Sequence, residues 1–229
     1  DLQFHRMCLA QADYLIAKMV EVNAVRRDLH LIAEMINSLP EDINLGVIEG
    51  SLNPLSNQEK SLEKPAKYEF RLYAAQVKLF EESGLFEDSV SSWLFDDLIF
   101  KPNRSLNLLY EGLNRNLDPA YLNGKTYLEM SPAGIDEQVS AWDQATNILG
   151  SMAGYAPNFH HYYVKIHNLD AMFAMVRATM AYKNSGVESI GAFLKRNHKS
   201  LFNPYNGEAI GYDEDSQTLY IELPESPVK

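Results

Sequence analysis

The chain has 229 residues, 46% of them apolar and 11% aromatic, and its 31 Asp and Glu against 20 Lys and Arg give a formal charge of −11. One or two domains of this size bury roughly 70% of the unfolded surface, so intrinsic disorder is excluded, and the single cysteine, Cys8, excludes an internal disulfide. A pI near 5.0 argues against a nucleic-acid partner, because affinity for phosphates comes largely from Lys and Arg displacing counterions.

From Leu15 the apolar residues Val22, Val25, Leu29, Ile32 and Ile36 recur at helical spacing, which predicts one long helix over about 3–38, with its stripe broadened by Ile16, Val20, Leu31 and Met35. Pro40 stops it. Between 40 and 66, Pro, Gly, Asn and Ser predict an irregular connection. A second helix is predicted from Ala66 to Ser83, with Phe70, Tyr73, Val77 and Phe80 on one face and Gly84 as its cap, and a third from Glu87 to Phe100. Pro102 then restarts the chain, Asn103 is expected to cap the next helix, and Leu106, Leu109 and Leu113 form that helix's apolar face. Ser131-Pro132 opens a helix to about Leu149. After a cap expected at Asn158, another runs from Phe159 to Tyr182 and closes at Asn184-Ser185-Gly186, and a short one is expected from Val187 to Asn197.

After Leu201 the pattern changes. Asn203-Pro204-Tyr205-Asn206-Gly207 is dense in turn formers, and Ala209 to Tyr212 and Thr218 to Leu223 flank a polar tip, which predicts a β-hairpin. The reading is a mainly α multi-helix bundle: a body over 1–201, and a C-terminal turn and antiparallel hairpin over 202–229 packed on it as one domain. Asn206-Gly207 is expected to reverse the chain and lay the hairpin on the face carrying Met172, Phe173, Val176 and Met180. The residues singled out for structure are Pro102, Asn103, Pro204, Asn206, Gly207 and Tyr212.

The motifs that carry chemistry are incomplete. Gly124-Lys125-Thr126 matches the tail of a phosphate-binding loop, but Pro119 stands where its first glycine is required. Ser61-Leu62-Glu63-Lys64 has the S-x-x-K spacing without the partner motifs, and Gly150-Ser151-Met152-Ala153-Gly154 misplaces its serine for a nucleophile elbow. Asp213-Glu214-Asp215 begins like a calcium loop, but Thr218 and Pro224 occupy the required Gly and Glu positions. Glu81-Glu82 and Asp96-Asp97 are adjacent on helices and diverge. The best metal candidates are His160, His167 and Asp170. His160 and His167 are seven residues apart, roughly 10 Å along a helix and too far to share one ion without a bend, and His167 with Asp170, three apart, needs two more ligands, so histidines packed beside tyrosines are the preferred reading; His5 and Cys8, also three apart, are discounted in the same way.

No window holds the eighteen or so apolar residues of a membrane span, and with no basic or apolar leader after Asp1 any signal or anchor is expected to lie outside the chain. Three stretches carry a resemblance: Leu15 to Met19 with Arg26-Arg27-Asp28-Leu29, Lys101 to Asn107, and Asn203-Pro204-Tyr205-Asn206-Gly207-Glu208 through Tyr212. Together they resemble an uncharacterised family of Gram-negative envelope proteins with an N-terminal membrane anchor, a helical extracytoplasmic body and a pseudopilin-like C-terminal D-P-F-S-G-x-P-L-x-Y stretch. Asn203 replaces the usual Asp and Ala209 the second proline, so a calcium site by analogy with pseudopilins lacks a carboxylate.

The resemblance implies the periplasmic face of the inner membrane, the alternative being the cytoplasm, with membrane contact only through a segment absent from this chain. With no complete catalytic motif, the preferred function is non-enzymatic assembly or binding of an unknown protein partner, and no cofactor is expected. The alternatives are a metal-dependent hydrolase using His160, His167 and Asp170, and a module binding an apolar ligand between Met-rich and aromatic helices.

Overall fold

The structure of the chain, a computed structural model, describes residues 1–40, 46–83, 101–129, 159–186, 189–197, 201–216 and 218–222. The helices expected over 87–100 and 131–149 and the caps expected at Gly84 and Asn158 lie outside these residues. Within them the fold is mainly α with one two-stranded antiparallel sheet near the C-terminus.

The single helix expected over 3–38 is two, α1 (Leu2–Gln11) and α2 (Leu15–Ser38), joined by residues with extended ψ at Ala12 and Tyr14. The physical reason lies at Lys18, on the buried face of α2 beside Leu15, Val22 and Val25. Its ammonium is buried between the two helices and donates to Leu9 O at 2.7 Å, a carbonyl that an unbroken helix would have engaged internally. Ile16, Val20, Leu31 and Met35, expected to broaden the core stripe, are exposed instead, because α2 buries only the narrow face that meets its neighbours.

The connection expected to be irregular contains short helical turns: α3 (Gly46–Glu49), a 3-10 turn (Gly50–Leu52) and α4 (Asn57–Lys60). Ser56 and Glu59 close a capping box on α4: the Glu59 amide donates to Ser56 Oγ at 3.3 Å, and the Ser56 amide donates to Glu59 Oε2 at 2.7 Å. α5 (Glu63–Glu82) starts before Ala66 and takes Pro65 into its first turn, where a missing N–H costs nothing. In α6 (Pro102–Asn116), Pro102 holds the first helical position. Lys101 is the N-cap, and its own side chain makes no cap hydrogen bond. Asn103 therefore sits inside the first turn and does not cap, a correction that follows from proline's preference for that slot. Ser105 bonds back to Lys101 O at 2.9 Å.

A 3-10 turn (Pro119–Leu122) leads into α7 (Gly124–Glu129), and α8 (His160–Ser185), the longest helix among the described residues, ends at Gly186 with φ 61°, as its closing Asn-Ser-Gly predicts. α9 (Ile190–Asn197) follows. The main core gathers Leu9, Val25, Leu29, Leu62, Ile166 and Phe173, and a smaller cluster gathers Ala174, Ala178, Phe193, Leu194 and Ile210. α8 contributes to both, and Lys183 near its end donates to the α2 terminal carbonyls of Asn37 (3.2 Å) and Leu39 (2.9 Å).

β1 (Gly211–Asp213) pairs with β2 (Thr218–Tyr220) in the register Gly211 to Tyr220, Tyr212 to Leu219 and Asp213 to Thr218. The turn before it forms as expected: Gly207 has φ 75°, its amide donates to Asn203 O at 2.8 Å, and the Asn203 amide donates to Glu208 O at 2.7 Å. The hairpin does lie on α8, but on Ala174 and Ala178 with Phe193 and Leu194 of α9. Phe173, Val176 and Met180 face the main core instead. Alanines let the turn approach closely, which the larger face expected from the sequence does not. At Gly211 a Cβ would meet the ring of Tyr220 on the partner strand, a half-exposed side chain that would have to move aside.

Candidate functional site

Three features converge on α8, and the first is the cluster that holds the predicted His160 and His167. The rings of Tyr121, Tyr127, Tyr163 and Tyr205 surround them, with Tyr127 stacked on His160 at 5.1 Å and Tyr205 edge-on to His167 at 6.1 Å. The Tyr127 hydroxyl bonds His160 Nδ1 and lies 3.0 Å from the same residue's carbonyl oxygen. His167 Nε2 lies 2.8 Å from Tyr121 O, and since a carbonyl only accepts, Nε2 carries the proton and Nδ1 the lone pair. Nδ1 faces Gly124, where a Cβ would approach it to 3.5 Å. Burial lowers the His167 pKa to about 4, with nearby Lys60 adding to the shift and the Tyr121 carbonyl and Asp170 opposing it. Burial also lowers His160, helped by His161, and raises Tyr127, Tyr163 and Tyr205. The cluster is a neutral, packed assembly at pH 7.

The second feature is polar. Asp170 accepts from the Leu55 amide at 2.9 Å and from Lys60 Nζ at 2.5 Å, so both its oxygens are engaged. Nearby, Arg6 spends all five N–H groups: Nε and Nη2 form a fork on Glu59 at 2.6 and 3.0 Å, Nη1 reaches Ser51 O and Asn53 O, and Nη2 also reaches Pro54 O. Its guanidinium lies 4.9 Å over the Phe173 ring of α8. Burial opposes ionisation of Glu59, and the Arg6 fork with the Ser56 amide and hydroxyl outweighs it, holding the carboxyl below its usual range. These bonds sew the 50–60 segment to α1 and α8.

His160, His167 and Asp170 thus belong to one region, yet each faces a different protein partner. Among the described residues no group of three or more His, Cys, Asp and Glu is placed to hold one metal ion. Pro204 and Tyr205 sit in the turn against this region, and the Tyr205 hydroxyl donates to Asn168 Oδ1 at 2.5 Å. Asn206 and Gly207 are exposed, and Tyr212 is half-buried in the hairpin.

The third feature is a groove of about 420 Å³ between α2 and α8. Val22, Leu29, Leu169, Met172 and Met175 supply its apolar walls, and Arg26, His30 and Lys165 stand among its lining. Among the described residues neither Arg26 nor Lys165 has an ion-pair partner. Reading the sequence located the Met-rich α8 face but named Arg26 only within a stretch that carries the resemblance, with no binding role. It missed Arg6, Glu59 and Lys60 altogether, although the Ser56-x-x-Glu59 spacing is a legible capping signal. No described helix is long and apolar enough to cross a membrane. Comparison of the chain with protein-family models, curated proteins and solved structures finds no match.

Proposed function

We propose that this is a non-enzymatic binding protein whose groove between α2 and α8 takes an acyl chain bearing an anionic headgroup. The observation that carries it is the pairing of an apolar trough with Arg26 and Lys165 at its lining, neither of them ion-paired among the described residues, in a chain whose net charge is −11. An acidic protein repels anions over most of its surface, so a local pair of unpaired cations beside Leu and Met side chains selects a ligand with one charged and one apolar end. Met172 and Met175 suit chains of varied length because an unbranched thioether repacks readily.

Titration with a fluorescent long-chain fatty acid tests this. Arg26→Glu combined with Lys165→Glu is expected to weaken binding at least tenfold, and Met172→Trp to block it. Binding that is absent in the native chain, or unchanged in the charge-reversed variant, overturns the reading. The resemblance to anchored envelope proteins supports a place at the periplasmic face of the inner membrane, which fractionation of cells expressing the full reading frame checks.

A further inference from the structure

On the side of α8 away from the groove lies a second cavity, of about 440 Å³, bounded by the 54–60 segment, by Asn123 and Gly124, by Asp170 and Arg177, and by Pro204 of the C-terminal turn. That volume lies within the range of small-molecule sites. Its charged groups do not cancel. Asp170 is saturated by the Leu55 amide and Lys60, which leaves Arg177 as the excess cation.

Among the described residues the one hydrogen bond of Arg177 runs from Nε to Phe173 O, at 3.4 Å, within its own helix. Its two terminal nitrogens carry four further N–H groups. A half-buried guanidinium that forms no ion pair among the described residues is costly, and burial does lower its proton affinity, with the more distant Asp170 opposing. Asn123 accepts from the Thr126 amide through Oδ1 at 3.1 Å, which fixes its amide and turns Nδ2 into a donor without a partner among the described residues. Lys60 commits one of its three N–H groups to Asp170. Gly124 keeps the wall close, since a Cβ there would meet Pro204 O at 3.0 Å.

We infer that this cavity binds a small metabolite through one oxyanion group, with Arg177 as the bidentate donor and Lys60 and Asn123 beside it. Planar guanidinium forks match carboxylate and phosphate oxygens alike, so the shared chemistry is the oxyanion. The sites lie on opposite faces of α8, and loss of one leaves the other standing.

The test is calorimetric titration of the full chain with sodium phosphate and, separately, sodium acetate at constant ionic strength. Saturable binding of either anion is expected, and the arm that responds identifies the class. Arg177→Gln is expected to weaken it at least tenfold and Arg177→Lys to restore part of it, while Lys78→Gln, at an exposed lysine of α5 outside both sites, leaves it unchanged. Asn123→Asp keeps the oxygen that accepts from Thr126 but adds a negative charge, so it too is expected to weaken binding at least tenfold. If Arg177→Gln fails to fold, that variant decides. No saturable binding of either anion overturns the inference. So does equal affinity in Asn123→Asp and the native chain.

Discussion

Buried groups of three kinds make stability depend on pH. Burial lowers the Lys18 pKa to about 8, with Glu59 opposing and Lys64 assisting. Between pH 8 and about 10.5 the unfolded chain holds a proton that the folded chain has shed, so stability rises with pH at up to about 1.4 kcal/mol per unit. Urea unfolding is expected to show this rise between pH 8 and 9.5, and Lys18→Met to abolish it. Above pH 10 the buried tyrosines reverse the trend, because the unfolded chain ionises first. His167, lowered to about 4, acts on the acid side: from pH 6.5 down to 4 the unfolded chain takes up a proton that the folded chain refuses, and stability falls. Gln can keep the bond to Tyr121 O, so His167→Gln is expected to unfold with a shallower pH dependence in that window. An unaltered slope would remove His167 as its source. A lysine and a histidine were visible in the sequence at these positions, but their burial was not, since it depends on which helix arrives from elsewhere.

Capping separates elements that read alike. Ser56→Ala is expected to cost about 1 kcal/mol by opening a real capping box. Asn103→Ala should stay within about 0.5 kcal/mol, because Asn103 is exposed in a turn whose cap is Lys101. Urea midpoints of both variants check the pair, and equal losses would contradict the assignment of caps. Among long-range ties, Arg6 is the extreme case. A lysine in its place cannot reproduce a five-donor fork, and Arg6→Lys should destabilise by about 3 kcal/mol, because it leaves Glu59 and three carbonyls of the 51–54 turn imperfectly paired. A loss below about 1 kcal/mol would mean that the network is incidental. The α5 and α6 spans were legible because one apolar face repeats at helical spacing, and α8 because apolar residues recur all round it up to its glycine stop. The break between α1 and α2 was not, because Lys18 interrupts the pattern without signalling where its ammonium goes.

Across the whole molecule, α8 is the common wall of both cores, of the groove and of the second cavity. Its hairpin side depends on the chain after Leu201: Tyr205 and Ile210 are buried there, and fully burying each side chain contributes roughly 1.5–3 kcal/mol. Truncation after Leu201 is therefore expected to lower the melting temperature by roughly 10 °C, at about 2–4 °C per kcal/mol for a chain of this size. An unchanged melting curve would make the hairpin an appendage.

The helical character, the turn at Asn206-Gly207, the stop at Gly186 and the terminal hairpin were written in the sequence, because each depends on spacing or on backbone freedom within a few residues. The tertiary structure decided the partners: that His160 meets Tyr127 and His167 meets the Tyr121 carbonyl, that Asp170 answers Leu55 and Lys60 more than a hundred residues earlier, and that Arg26 and Lys165 come to line one groove. Local pattern fixes which face of a helix is apolar. Which buried charge finds a counter-charge depends on contacts between residues far apart in the chain, and no short-range spacing encodes those.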